Sequence, residues 1–176
     1  ASGLLDGELD ARMSSWTELL SARGSRFTPA ELYSGDHWSV ARSLAPLALS
    51  LGWKPRLWIA SAGFGLVSTE SLLTPYSATF ALGNPNSVGK SATENREWWK
   101  LLSDWEGPLG SSHRSIESVA ASAPESTFLC VLSEPYLAAL QDDLRAALVR
   151  VTTPDRFLVV SAGTAVAPGL EGNLLP

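Results

Sequence analysis

The chain has 176 residues, of which 45% are hydrophobic and 18% are charged, and its formal net charge is −5. This length and composition are typical of one globular domain, residues 1–176, that buries its own core. The negative charge disfavours broad, sequence-independent binding to nucleic acid. The single cysteine excludes an internal disulfide and a cysteine-rich zinc site. No apolar run approaches the roughly 20 residues of a transmembrane helix, so a cytoplasmic protein is expected.

Two amphipathic helices are predicted before the first strand. Apolar residues at three-to-four spacing predict a helix over residues 4–22. Ser34 or Asp36 would cap a second helix that runs to about Leu51 and ends at Gly52. The inner face of this second helix is expected to carry Trp38, Ala41, Leu44, Ala45 and Ala48.

The first predicted strand is followed by a glycine-containing turn. Residues 57–60 form a short apolar run of the kind that is buried on both faces of a parallel sheet. Glycines at positions 63 and 65 allow a sharp turn or the close approach of a ligand. Ligands of open α/β sheets bind outside the carboxyl ends of the strands. Ser61, Ala62, Gly63 and Gly65 are therefore predicted to line a pocket.

The rest of the chain alternates between helices and strands, as α/β proteins do. A short helical turn capped by Ser68 or Thr69 is predicted first, and residues 76–82 are expected to form a strand or an extended lid. Three further helices and two further buried strands are predicted: helices over 93–106, 111–123 and 135–149, and strands over 128–132 and 156–161.

Three predicted strands end in a serine, at Ser61, Ser133 and Ser161. Because the carboxyl ends of parallel strands meet at one edge of a sheet, these hydroxyls are expected to share a rim. Tyr33 and Tyr76 lie in turns beside that rim. Aromatic rings, hydroxyls and free loop amides would suit a flat, hydrogen-bonding ligand such as a nucleobase. The alternative is that both tyrosines only pin loops.

Residues 83–91 resemble the phosphate-binding loop of small GTPases, but the spacing differs. That loop has four residues between its first glycine and the Gly-Lys pair, because its amides must converge on one phosphate group. Five residues separate Gly83 from Gly89 in this chain. An exposed loop is therefore preferred to a site of nucleotide hydrolysis.

Other catalytic and metal-binding sites have little support. His37 and His113 lie far apart and lack acidic residues at ligand spacing, so no metal site and no cofactor are predicted. A triad of Ser61, His37 and Asp36 lacks the Gly-x-Ser-x-Gly turn that would position its nucleophile. Cys130 lies within an apolar run and is expected to be a buried core thiol.

Part of the chain resembles a bacterial and phage family of uncharacterised proteins, which is similar to the uracil-DNA-glycosylase-like domain of archaeosine synthase. The shared pattern is a strand, Ser-Ala-x-x-Gly-Leu, a short acidic turn and Pro-Tyr-Asp. The matching segments are residues 32–35, Ala41-Arg42, residues 58–66 and residues 74–77, within a region of about residues 31–80.

The resemblance implies a three-layer α/β/α domain with a central, mainly parallel sheet of about four strands. The family usually opens with a strand that ends in Cys-Ser and a lysine, so a flanking N-terminal strand is expected to be missing here. Ser77 stands where the family usually has aspartate. Glu70, in the acidic turn, is the natural substitute and is the predicted catalytic residue.

These observations give two hypotheses for function. The first is a domain that recognises a nucleobase, a nucleotide or nucleic acid, linked to deazaguanine-type nucleic-acid modification or antiphage defence. If it is an enzyme, it would be glycosylase-like or a nucleotide hydrolase, with Glu70 as acid or base. The second is a non-catalytic subunit that holds a protein partner in a defence or modification complex. Neither hypothesis involves a membrane.

Overall fold

A computed structural model describes residues 7–22, 24–107, 113–161 and 168–175, without the side chains of Asp36 and His37. The helices, in chain order, are α1 (Leu9–Ala22), α2 (Pro29–Leu32), α3 (Asp36–Ser50), α4 (Ala92–Asp104), α5 (Ile116–Ser122) and α6 (Glu134–Arg150). The strands are β1 (Trp58–Ser61), β2 (Gly65–Ser68), β3 (Phe128–Leu132), β4 (Phe157–Ser161) and β5 (Leu174–Leu175).

The predicted helices are present, although α1 begins only at Leu9, and α4 and α5 also begin elsewhere than expected. Helix α4 begins after Ser91, whose hydroxyl accepts a hydrogen bond from the Glu94 N–H. Helix α5 begins after Ser115, which caps it in the same way through Ser118. The predicted starts of α5, at positions 111 and 112, lie outside the described residues. In each helix a serine hydroxyl satisfies an amide that the first turn leaves without a helical partner.

The two later strands were predicted correctly and lie in one parallel sheet. Strand β4 lies between β3 and β5, and both neighbouring strands run parallel to it. Helix α6 connects β3 to β4, which is the crossover that parallel neighbours require. The prediction of a mixed α/β chain with parallel strands is therefore confirmed.

The first strand does not belong to that sheet. Strands β1 and β2 pair antiparallel, with Ser61 opposite Gly65 and Trp58 opposite Ser68. Gly65 has a φ of +74°, which lets the chain reverse within three residues. The prediction of a doubly buried parallel strand was wrong, and β2 replaces the predicted helical turn at Ser68.

The described strands thus form two separate sheets, instead of one central sheet of about four strands. Ser133 and Ser161 do lie at the same edge, because Leu132 pairs with Ser161. Ser61 lies in the hairpin, so the predicted common rim for all three serines was wrong. Residues 76–82 contain only an isolated bridge from Thr79 to Ser87 in place of the predicted strand or lid.

A partly buried carboxylate joins three of the helices. Asp143 of α6 accepts hydrogen bonds of 2.9 Å from the N–H groups of Ile116 and Glu117 and from the Trp99 indole N–H. Burial raises the pKa of Asp143, and these three donors oppose the rise. One side chain of α6 therefore caps α5 and anchors α4.

We predict that Asp143→Ala destabilises the fold strongly, because it leaves three partly buried donors without an acceptor. The expected loss is about 3 kcal/mol in the free energy of unfolding, measured by urea denaturation. The control is Asp142→Ala, whose carboxylate is 65% exposed and pairs with Arg145. It should cost less than about 1 kcal/mol. Equal losses in both variants would contradict the anchoring role.

Candidate functional site

The turn between β1 and β2 is buried and held by side chains from distant parts of the chain. Residues 61–67 are all buried. Three carbonyls of the turn accept hydrogen bonds: Ala62 from the Trp98 indole (2.9 Å), Gly63 from the Trp16 indole (2.7 Å) and Phe64 from the Arg114 guanidinium. Because α1, α4 and the segment before α5 all contribute, the turn conformation depends on the tertiary fold.

The hydroxyl of Ser61 organises the inner side of the turn. Its oxygen accepts hydrogen bonds from the N–H groups of Gly63 (3.2 Å) and Phe64 (3.0 Å) and lies 2.6 Å from the Tyr76 hydroxyl. A serine hydroxyl has two acceptor lone pairs and one hydrogen to donate. Since both lone pairs are taken by amides, Ser61 donates its hydrogen to Tyr76.

This direction of donation continues to Tyr33. The Tyr76 hydroxyl lies 2.7 Å from the Tyr33 hydroxyl. Having accepted from Ser61, Tyr76 can donate to Tyr33, whose hydroxyl also interacts with the Ser61 side chain. We call Ser61, Tyr76 and Tyr33 the hydroxyl chain. Its outer end is the half-buried Tyr33.

Trp38 lies beside the outer end of the hydroxyl chain. Its ring meets that of Tyr33 edge to face, with centroids 5.7 Å apart. The indole nitrogen of Trp38 is buried and has no hydrogen-bond partner within the described part of the chain. Buried indole N–H groups normally find an acceptor. We call Tyr33 and Trp38 the donor pair: the Trp38 N–H lacks a described acceptor, and the Tyr33 hydroxyl belongs to the hydroxyl chain.

Tyr136 also lies at this turn, so all three tyrosines of the chain meet there. Its hydroxyl interacts with the Ala62 backbone and the Thr79 side chain, and its ring packs 5.0 Å from that of Phe80. Burial raises the pKa of Tyr33, raises that of Tyr76 further and raises that of Tyr136 to about 12. The three hydroxyls are therefore protonated donors at neutral pH.

The glycines of the turn serve packing. A Cβ at Gly63 would lie 2.5 Å from two ring atoms of Tyr76 and 3.1 Å from the Trp16 ring. A Cβ at Gly65 would lie 3.2 Å from the Leu102 carbonyl. The sequence predicted a turn or a close approach, and the structure has both. The group that comes close to Gly63 is the ring of Tyr76.

The structure brings most of the predicted site residues together and separates the others. Those that converge are Ser61, Ala62, Gly63, Gly65, Tyr33 and Tyr76. Ser133 and Ser161 lie at the end of the other sheet, where the Ser161 hydroxyl is buried without a described partner. Trp38 was predicted only as part of a helix face. Its position five residues after Tyr33 is the one sequence signal that it lies beside the hydroxyl chain.

Glu70 is exposed and lies at the other end of the hairpin. It follows Ser68, which pairs with Trp58, whereas Ser61 pairs with Gly65. Three residues of strand separate the two ends by about 10 Å. The structure therefore does not bring Glu70 to the hydroxyl chain, and its catalytic role stays a prediction.

The glycine-rich loop 83–91 is fixed by contacts within the protein. Buried Arg12 forms an ion pair of 3.0 Å with Glu94 and donates to the Val88 carbonyl. Glu94 also accepts a hydrogen bond from the Lys90 N–H, and Ser91 caps α4. These contacts fix the start of α4 at the end of the loop. Residues 83–85 are exposed as predicted, but residues 87–89 are buried, so the prediction of an exposed loop was wrong there.

Three other features bear on the predicted chemistry. No cluster of three or more His, Cys, Asp or Glu side chains suitable for a metal occurs among the residues that the structure describes. In the same residues, no helix is both long and apolar enough to cross a membrane. Burial raises the pKa of Cys130 to about 12, so its thiol is protonated and unreactive at neutral pH.

The chain was compared with known proteins in three ways. No family model matches it, and no significant similarity is found to curated proteins or to solved structures. The resemblance described above therefore rests on the quoted residues alone.

We predict that alkaline titration of the folded protein shows no phenolate absorbance near pH 10, the ordinary pKa of tyrosine. The folded state disfavours all three phenolates. Their stabilising contribution is therefore complete below pH 10 and is lost as the pH rises through the raised pKa values of the folded protein, which for Tyr136 is about 12. Absorbance and circular dichroism, followed together, should report ionisation and unfolding at the same pH. Ionisation near pH 10 without unfolding would contradict the buried cluster.

We also predict that Gly63→Ala is much more harmful than Gly24→Ala. The first places a methyl group against the Tyr76 ring, whereas nothing lies within 4 Å of a Cβ at Gly24. Overpacking at Gly63 should lower the free energy of unfolding by about 2 kcal/mol or more. Gly24→Ala should change it by less than about 1 kcal/mol. Thermal denaturation of both variants provides the comparison, and a tolerated alanine at Gly63 would contradict the described packing.

Proposed function

We propose that this protein recognises a nucleobase or a nucleotide through the donor pair. The observation that carries the proposal is that the Trp38 indole N–H is buried without a described acceptor, while its ring packs edge to face against Tyr33 at the end of the hydroxyl chain. The Trp38 N–H lacks a described hydrogen-bond acceptor, and a nucleobase supplies such acceptors, since its edge carries carbonyl and ring-nitrogen acceptors in one plane. Its flat face suits the neighbouring aromatic rings.

The polarity of the hydroxyl chain supports selectivity for one kind of base edge. Two donors favour an edge with two adjacent acceptors and disfavour an amino group, which would place donors against donors. Guanine has such an edge, with O6 and N7 side by side. A 7-deazaguanine lacks N7 and would leave one donor unpaired, which makes the two bases an informative comparison. The link to nucleic-acid modification or antiphage defence rests on the resemblance of residues 31–80.

A hydrolytic activity would need a carboxylate or a water near the bound base. Glu70 is the residue predicted for that role, and its distance from the hydroxyl chain makes it suitable for separating binding from turnover. If a glycosidic or nucleotide bond is hydrolysed with Glu70 as acid or base, Glu70→Gln abolishes turnover and leaves binding unchanged. Unchanged turnover in this variant would remove Glu70 from the mechanism.

The binding proposal is tested by thermal shift and calorimetry with guanosine, 7-deazaguanosine, other nucleosides and nucleotides. A ligand that binds only the folded state raises the unfolding midpoint. We expect Tyr33→Phe to weaken binding by about tenfold, because it removes one hydrogen bond while keeping the ring. Glu70→Gln is the matched control and should bind as the wild type does.

Two results would contradict this proposal. One is the absence of a shift with every nucleoside and nucleotide. The other is binding that is unaffected by both Tyr33→Phe and Trp38→Phe. A base bound elsewhere on the surface would give the second result.

An exposed, tryptophan-bearing apolar patch around residues 98–105 would favour the rival hypothesis of a non-catalytic subunit. Trp98 and Trp99 are instead buried, at 0% and 3% exposure. The hypothesis is favoured by a different observation, the exposure of leucine and valine side chains on α3 and on the parallel sheet.

A further inference from the structure

One face of the parallel sheet is open. The five apolar side chains that share it by register are Leu129, Val131, Leu158, Val160 and Leu175. Leu129 is 51% exposed, and Val131 and Leu175 are each 41% exposed. On the opposite face, Phe157 and Val159 are completely buried. Because parallel sheets are normally covered on both faces, this open face requires a cover.

Helix α3 has the complementary property. Val40, Leu47 and Leu51 are 59%, 58% and 69% exposed, and half-buried Leu44 lies between them. Their four-three-four spacing places them in one stripe along the helix. Among the described residues, no apolar side chain of α3 is part of the buried core or packs against it. Apart from the Trp38–Tyr33 contact near its start, the helix therefore leaves this apolar stripe without a described partner.

The charges around the two surfaces are opposite. Residues 37–69 contain Arg42, Lys54 and Arg56 and no acidic residue, and the last two follow the end of α3. Three exposed acidic residues precede the strands of the sheet, Glu125, Asp155 and Glu171, and they outnumber the one exposed basic residue there, Arg156, which pairs with Glu125. Pairing these charges would set α3 antiparallel to the strands, as helices lie in β-α-β units. A 15-residue helix, about 22 Å long, spans strands of about 17 Å.

We propose that two copies of this chain form a dimer in which α3 of each protomer covers the open sheet face of its partner. Each copy carries one helix stripe and one sheet face, so two equal contacts related by a two-fold axis close the assembly. The contact joins Val40, Leu44, Leu47 and Leu51 of one protomer to Leu129 and Val131 of the other. This dimer is independent of the proposed nucleobase site, and nucleoside binding is not needed to test it.

The test is sedimentation equilibrium of the full chain over a range of concentrations. We expect the wild type to be dimeric, and Leu47→Glu and Val131→Glu each to raise the dimer dissociation constant at least about tenfold. The controls are Leu82→Glu and Val149→Glu, at side chains that are 54% and 83% exposed outside both surfaces. They should leave the dissociation constant unchanged. Circular dichroism checks that each variant is folded.

Mixing the two disruptive variants gives a sharper result. Leu47→Glu keeps an intact sheet face and Val131→Glu keeps an intact helix, so a mixed pair retains one of the two contacts. The mixture should therefore dimerise more tightly than either variant alone. A monomeric wild type at about 100 μM would overturn the proposal. So would a wild-type dimer that neither variant weakens, or a mixture that gains nothing.

Discussion

The structure depends on the hydrogen bonding of the backbone groups in one buried turn. The carbonyls of residues 62–64 are bonded to the indoles of Trp98 and Trp16 and to Arg114, and the amides of residues 63 and 64 are bonded to Ser61. An unpaired polar group in such a place would cost about 1–3 kcal/mol. The partners come from helices that lie far apart in sequence. The turn therefore forms only when α1, α4 and the segment before α5 are all in place.

Helices and parallel strands were predictable because their signals are local. Periodic apolar residues in α6 and apolar runs in β3 and β4 stand in the sequence, and the structure has these elements within one or two residues of the predicted bounds. The hairpin was misread because Leu66 and Val67 form too short a run to indicate a strand. Whether β1 finds a parallel or an antiparallel neighbour depends on the turn, and the turn depends on tertiary contacts.

Part of the candidate site was predicted, but the structural reason given for its grouping was not the one that the structure shows. Ser61, Tyr33 and Tyr76 were grouped because they were expected beside the rim of a parallel sheet, whereas they meet through hydrogen bonds at a hairpin turn. The distance between Trp16 and Gly63 in sequence, 47 residues, shows why such contacts escape pattern analysis. The unbonded Trp38 nitrogen could not be predicted at all, since hydrogen-bond satisfaction is a property of the folded chain.

The direction of hydrogen bonding links the buried turn to the candidate site. Amides fix the orientation of Ser61, Ser61 fixes that of Tyr76, and Tyr76 can donate to Tyr33. The most direct test is a double-mutant cycle of Ser61→Ala and Tyr33→Phe on the affinity for guanosine. Without Ser61 the Tyr76 hydroxyl is free to reverse, so we expect a coupling of about 1 kcal/mol. Additivity within about 0.3 kcal/mol would contradict a fixed polarity.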